Sequence, residues 1–202
     1  MNPKRMILLA ALALLAPVAA NAGGVGIEAL YGVAWPPATD FDSAVGGVNT
    51  DHLSEDTSQI YGGTLLLNFG LLDIGAIVDT TSPDQGPDQT AIGGLAGLRF
   101  GDKLRFDLLG EIGGQRYGNV FENTDVVTES TSDQWLMYLG LRPGIAYRFG
   151  PSEGLGLVVG VWGFARWDVT DKKLSVDSGD AQGEVKLGGT TIGATLRAGI
   201  EF

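Results

Sequence analysis

The chain ends in Thr191-Ile192-Gly193-Ala194-Thr195-Leu196-Arg197-Ala198-Gly199-Ile200-Glu201-Phe202, and this segment decides the fold. Apolar residues occupy every even position, whereas the odd positions carry threonine, glycine, arginine and glutamate. A repeat of two residues predicts a β-strand with one apolar face. The same alternation recurs along the chain, and the opposite face is small or charged. An apolar outside and a polar inside are typical of a β-barrel that is surrounded by lipid.

The head of the chain predicts export. Two basic residues precede an apolar run over residues 6–15, and Ala20 and Ala22 form the small-residue pattern of a signal-peptide cleavage site. We therefore expect a signal peptide over 1–22 and one barrel domain over 23–202. The alternative, a single membrane anchor, requires about 18 consecutive apolar residues, and this run is shorter. No later stretch reaches that length, so the chain could cross a membrane only with strands.

The composition restricts the possible partners. Thirty-two glycines suit a tightly curved strand protein, and the absence of cysteine excludes disulfides. Removing the two basic residues of the signal peptide leaves 13 − 2 = 11 basic residues against 24 acidic ones, a formal net charge of −13. Such an acidic chain is a poor partner for nucleic acid, so we expect none.

The alternation predicts an all-β fold, an eight-stranded antiparallel up-and-down transmembrane barrel. The expected strands are roughly 24–35, 58–69, 71–80, 90–100, 103–117, 134–149, 155–168 and 190–202. The connections at Gly70, 101–102 and 150–154 are short, whereas those at 36–57, 118–133 and 169–189 are long. Outer-membrane barrels have short periplasmic turns and longer external loops, so both termini are expected on the periplasmic side.

Aromatic residues test this arrangement independently of the alternation. They cluster where the predicted strands meet the short turns and where they meet the long loops, which predicts two membrane girdles. A soluble, lipocalin-like barrel would instead place its aromatic residues inside. The expected girdle residues are Tyr31, Trp35, Tyr61, Phe69, Phe100, Phe106, Trp135, Tyr147, Phe149, Trp167 and Phe202.

Charged residues fall on the inward positions of the same strands. An eight-stranded barrel has room only for its own side chains, so these charges should pair, with arginine favoured for bidentate contacts. Inward glycines leave space for Tyr138, Trp162 and Phe164 to fold across the lumen and close it. The alternative is a wet lumen that conducts ions or protons. The expected luminal charges are Glu28, Asp73, Arg99, Arg105, Asp107, Glu111, Arg142, Arg148, Arg166, Asp168, Arg197 and Glu201.

With these features the chain from Gly23 to Phe202 resembles the small eight-stranded bacterial outer-membrane barrels, the OmpA-type transmembrane domain and OmpX-like proteins. The ending Gly199-Ile200-Glu201-Phe202 looks like the C-terminal assembly signal of that class. The resemblance implies a location in the bacterial outer membrane. It also implies outer-membrane lipid, lipopolysaccharide and the barrel-assembly machinery as partners, the last through the C-terminal strand. Members of the class include adhesins, resistance factors and lipid-modifying enzymes, so the fold does not choose a role.

Catalysis has little support in the sequence. The only histidine, His52, lies in an acidic loop beside Ser54 and Glu55, as sequence neighbours rather than as partners held by strands. No calcium-loop spacing is present either, so we expect no catalytic residues, no metal site and no cofactor.

The external loops hold the remaining signal. The four loops together carry fifteen acidic and three basic residues. We therefore expect a closed barrel with a structural or cell-surface role, adhesion-like or resistance-like, that meets an extracellular partner through these loops. The alternatives are a small pore or transport channel, a lipid-modifying enzyme and a soluble lipocalin-like barrel.

Overall fold

The computed structural model describes residues 23–35, 40–41, 57–82, 88–118, 134–151, 154–170, 172–177 and 182–202. Within these ranges, no helix is long and apolar enough to cross a membrane. Their regular elements are eleven strands. The strands are β1 (Gly24–Trp35), β2 (Asp40–Phe41), β3 (Ser58–Phe69), β4 (Leu72–Ser82), β5 (Asp88–Phe100), β6 (Leu104–Gly118), β7 (Gln134–Phe149), β8 (Gly156–Asp168), β9 (Lys172–Asp177), β10 (Gln182–Leu187) and β11 (Thr190–Glu201).

Eight of these strands form a closed antiparallel barrel in the order β1-β11-β8-β7-β6-β5-β4-β3. Barrel strands that follow one another in the sequence are neighbours in the barrel, and β11 closes the sheet by pairing with β1. The prediction of an eight-stranded up-and-down barrel is confirmed. The eight strands match the predicted ones to within two residues at each end.

The register of the barrel sets its width. A walk across paired residues starts at Val25, passes once through all eight strands and returns to β1 at Trp35, ten positions further along the chain. With about 3.3 Å per residue and about 4.8 Å between strands, this stagger tilts the strands by roughly 40° from the barrel axis. An eight-stranded barrel of this kind has an interior just wide enough for its own side chains.

The connections at the two ends of the barrel differ. At one end, the turn end, Gly70 and Gly101 have φ angles of 76° and 90°, which side chains rarely tolerate and which allow very tight reversals. The opposite end, the loop end, carries the long connections. The segment over 169–189, predicted as a loop, is instead partly a hairpin of β9 and β10. β2, in the segment predicted as the first loop, adds a third strand, because Phe41 pairs with Val185.

The inner and outer faces of the barrel are inverted relative to a soluble protein. Along β11, the inward Thr195 and Arg197 are buried, whereas the outward Leu196 is 62% exposed. The outward positions of the other barrel strands are also mostly large, apolar and exposed. Soluble monomers rarely expose continuous apolar surface of this extent.

Glycines inside the barrel make room for large aromatic rings from the neighbouring strand. A Cβ atom at Gly144 would overlap the ring of Trp162, its partner across β7 and β8. Gly193 stands in the same relation to Phe164, which is its partner on β8. An aromatic ring that covers a cross-strand glycine restores the packing that the glycine lacks.

We predict that Gly144→Ala destabilises the barrel by about 1–3 kcal/mol, because the added methyl group forces the Trp162 ring out of its position. Gly110→Ala is the matched control, since its Cβ would point outward and meet only the Ala96 carbonyl oxygen at 3.5 Å. The free energy of unfolding, measured by denaturant titration of the refolded protein, should distinguish the two. Equal losses would show that the glycine does not hold the ring.

Candidate functional site

The candidate site is the lumen, where the structure places all the charged residues predicted to point inward. Ten of them are buried, with exposed fractions of at most 7%, and Asp168 and Glu201 are half-buried. The ten are Glu28, Asp73, Arg99, Arg105, Asp107, Glu111, Arg142, Arg148, Arg166 and Arg197. The contacts among these side chains divide them into two clusters and one separate carboxylate.

The turn-side cluster lies at the turn end of the lumen and is built around Arg99. Its guanidinium contacts Asp73 at 2.7 Å, Asp107 at 3.2 Å and Glu201 at 3.0 Å. Arg197 joins the cluster by pairing with Asp107 and, at 3.5 Å, with Glu28. The full cluster consists of Glu28, Asp73, Arg99, Arg105, Asp107, Arg148, Arg197 and Glu201.

Glu201 ties the closing strand to the rest of this cluster. Arg105 donates from Nη2 to Glu201 Oε1 at 2.9 Å, and Arg148 lies 3.5 Å from the same oxygen. The two arginines also cap the turns, because Arg105 donates to the Asp102 carbonyl at 2.7 Å and Arg148 to the Gly154 carbonyl at 2.6 Å. Guanidinium groups with bound partners on both sides therefore lie at the turn end.

The loop-side cluster consists of Asp79, Glu111, Arg142 and Arg166. Arg166 donates to Asp79 at 2.7 Å and to Glu111 at 3.0 Å, which joins β8 to the opposite wall at β4. Arg142 contacts the same two carboxylates, at 3.0 Å from Glu111 and 3.5 Å from Asp79. The Tyr138 hydroxyl adds a hydrogen bond to Glu111 at 2.7 Å.

Each cluster is electrically neutral by itself, with four arginines and four carboxylates on the turn side and two of each on the loop side. Asp79 is the second carboxylate of the loop-side cluster and makes that cluster neutral. It was not among the predicted luminal charges. The alternation could have found this residue, because Asp79 shares the inward positions of β4 with Asp73. Buried charges are tolerated when they are paired and hydrogen-bonded, as these are.

An apolar layer separates the two clusters. We call it the septum, and each of its members is at most 3% exposed. On β6, Leu109 lies between Asp107 and Glu111, which belong to different clusters. On β4, Ile77 lies between Asp73 and Asp79, which also belong to different clusters. The septum consists of Leu30, Leu66, Ile77, Leu95, Leu109 and Trp162.

Trp162 links the septum to the charges on both sides. Its ring centroid lies 4.3 Å from the guanidinium carbon of Arg197 and 5.5 Å from that of Arg142. Further towards the loops, Phe164 lies under Arg142 and Arg166, at 4.8 and 5.1 Å. Such cation–π contacts are strongest where water is excluded. The rings predicted to fold across the lumen therefore stack between the arginines.

At the loop end of the lumen, one carboxylate is bound by uncharged polar groups. Asp168, expected to pair with an arginine, accepts hydrogen bonds from the Tyr117 hydroxyl at 2.7 Å and from the Gly189 amide at 3.1 Å. Gln115 donates to Tyr117 at 3.1 Å and to Gln89 at 2.9 Å, which extends this network across β5 and β6. The hydrogen-bond donors to Asp168 are thus a hydroxyl group and the backbone amide just before β11.

The predicted girdle residues lie on the outer face. Ten of the eleven are 42–56% exposed, while Phe69, which directly precedes the Gly70 turn opposite Leu72, is half-buried. At the turn end, the rings of Tyr147 and Phe149 pack edge to face with their centroids 4.7 Å apart.

Other predicted features fall elsewhere. Within the part of the chain that the structure describes, no group of three or more histidine, aspartate or glutamate side chains is placed to hold a metal ion. His52, residues 1–22 and most of the acidic loop residues lie outside the described residues.

We predict that Arg142→Ala lowers the free energy of unfolding by about 3–5 kcal/mol, because it removes one partner of a fully buried ion pair. Lys103→Ala, which removes an exposed charge in a turn, should cost only about 0–1 kcal/mol. Denaturant unfolding of the two variants provides the measurement. A small loss at both positions would mean that water screens the luminal charges.

Comparison with known proteins supports the fold. No family model matches the sequence, and no curated protein does. The structure is similar to that of Neisserial surface protein A, with a TM-score of 0.50 and 15% identity over 88% of this chain and 94% of that one. It is also similar to the outer membrane protein OprG from Pseudomonas aeruginosa, with a TM-score of 0.54 and 12% identity over 90% of this chain and 97% of that one. The chain thus has the fold of small outer-membrane barrels.

Proposed function

We propose that the protein is an outer-membrane barrel with a closed lumen, and that its external loops give it a structural or cell-surface interaction role. The observation that carries this proposal is the pairing and packing of the lumen beneath an apolar outer wall. Three properties support it in turn: the height of the outer apolar belt, the filling of the lumen and the charge of the loops.

The apolar belt has the height of an outer-membrane barrel. On β11 the outward apolar residues run from Ile192 to Phe202, ten residues apart. At about 3.3 Å per residue and a tilt of roughly 40°, this distance corresponds to about 25 Å along the axis. The apolar band of outer-membrane barrels is about 25 Å tall and is flanked by aromatic girdles, which this outer wall also has.

The packing of the lumen favours a closed barrel over a pore. Arg142, Leu109, Tyr138 and Trp162 are each 0% exposed, although they come from three different strands. Conduction would require a continuous polar path with room for water, and the septum interrupts such a path. With no passage through the centre, the surface available for function is at the loop end.

The loops offer an acidic surface for that role. Of the chain's 24 acidic residues, many fall in the four segments that join the strands at the loop end. Such a surface is repelled by anionic headgroups and attracts basic partners or divalent cations. We therefore infer an interaction with a basic surface outside the cell, whether adhesive or protective, and assign no enzymatic activity.

We predict that Leu196→Arg, at the middle of the outward face of β11, costs about 2–4 kcal/mol when the protein is unfolded from lipid vesicles. The cost arises because the guanidinium would face hydrocarbon at the centre of the bilayer. Gln59→Arg, on an exposed polar position near the loop end of β3, is the control and should cost about 0–1 kcal/mol. Equal costs would show that this wall does not face lipid.

We also predict that the wild-type protein gives no reproducible unit conductance in planar bilayers. The folded state of the sample can be checked by its heat-modifiable migration in detergent gels. Regular channel openings from folded protein would contradict the closed barrel and favour the small pore. Recovery of the protein in the soluble periplasmic fraction, without affinity for detergent, would instead favour a soluble barrel.

A further inference from the structure

We propose that the apolar septum is the barrier to ions in this barrel, and that the luminal ion pairs on either side of it are not. This inference rests on the proposed closed lumen and names the residues that close it. A lumen lined with twelve predicted charges suggests at first a gate made of salt bridges, so the two possibilities have to be separated.

The order of residues along the strands places the septum between the two clusters, with Arg142 opposite Leu109 and Arg197 opposite Leu30 on the two strands that add no septum residue. On β6, one apolar residue, Leu109, separates the carboxylates of Asp107 and Glu111. On β1, Leu30 lies on the loop side of Glu28. On β5, Leu95 likewise lies on the loop side of Arg99. Septum residues come from β1, β3, β4, β5, β6 and β8. Six of the eight barrel strands therefore contribute an apolar side chain to one layer.

The electrostatics on the two sides are independent. Within the described part of the lumen, the ion pairs join residues of the same cluster, and each cluster is neutral. Trp162 contacts both clusters, with its ring against the guanidinium groups of Arg197 and Arg142 and its Nε1 donating to Asp107 at 3.4 Å. Removing one charge therefore changes one cluster and leaves the layer between the clusters in place.

The septum therefore makes the largest contribution to the free-energy barrier that an ion meets on its way through the lumen. An ion that moves through a charged cluster finds side chains that replace its water, whereas an ion in the apolar layer loses hydration without compensation. Apolar constrictions block conduction by excluding water, even without a steric plug. Widening this layer with small hydroxyl side chains should let water bridge the two clusters.

The test uses planar-bilayer recordings of the full barrel in potassium chloride. The double variant Leu95→Ser/Leu109→Ser removes two septum side chains on neighbouring strands and frees room for roughly two waters at each site. We expect it to show reproducible unit conductance and to pass at least about tenfold more current than the leak recorded with the silent wild type. The matched control is Arg142→Met, which breaks an ion pair but leaves Glu111 bound to Arg166 at 3.0 Å. We expect this variant to remain silent.

The outcomes separate this inference from the proposed function. Conduction by the wild type would refute the closed barrel itself. With a silent wild type, a folded but silent septum variant would overturn the septum as the barrier, and so would conduction by Arg142→Met. If the double variant fails to fold, Ile77→Thr is recorded in its place, because it keeps the branched shape while adding a hydroxyl group to the same layer. Conduction by this variant is the expected result, and silence of the folded variant would overturn the septum as the barrier.

Discussion

The width of an eight-stranded barrel is the constraint on which the rest of the structure depends. A stagger of ten residues around eight strands leaves an interior just wide enough for its own side chains. Every luminal charge therefore needs a partner within the wall. Arg99 with three carboxylates, and Arg166 with two, show how arginine meets this need by forming several contacts from one planar group.

The same constraint explains the pattern of glycines and aromatic rings. A ring such as Trp162 reaches across a narrow lumen only where the neighbouring strand has no side chain, as at Gly144. The ring then packs against two arginines from different clusters. Packing and electrostatics thus act on the same residues. The outer wall has a simpler pattern, because it needs only apolar side chains facing lipid and aromatic rings with polar edges at the girdles.

Alternation along each strand is a local property, and it was sufficient to predict the strands and the face of each strand that carries the buried charges. The partners of those charges depend on the register between distant strands, so the division into two neutral clusters could not be predicted. The septum was missed for the same reason, because Leu30 and Leu109 share a layer only once the barrel is closed. The pairing of β2 with β10 was missed because it joins segments more than 140 residues apart, from Phe41 to Val185, whereas the hairpin of β9 and β10 is local. Asp79 was within reach, since it lies on the same face of β4 as Asp73.

The most direct test of a dry, paired lumen is its permeability to water, which passes through narrower paths than ions do. Stopped-flow light scattering can compare the osmotic shrinkage of vesicles that contain the folded barrel with that of empty vesicles of the same lipid. The account predicts equal rates, because the septum of Leu109, Trp162 and their neighbours excludes water. A faster rate that grows in proportion to the amount of folded barrel would contradict it.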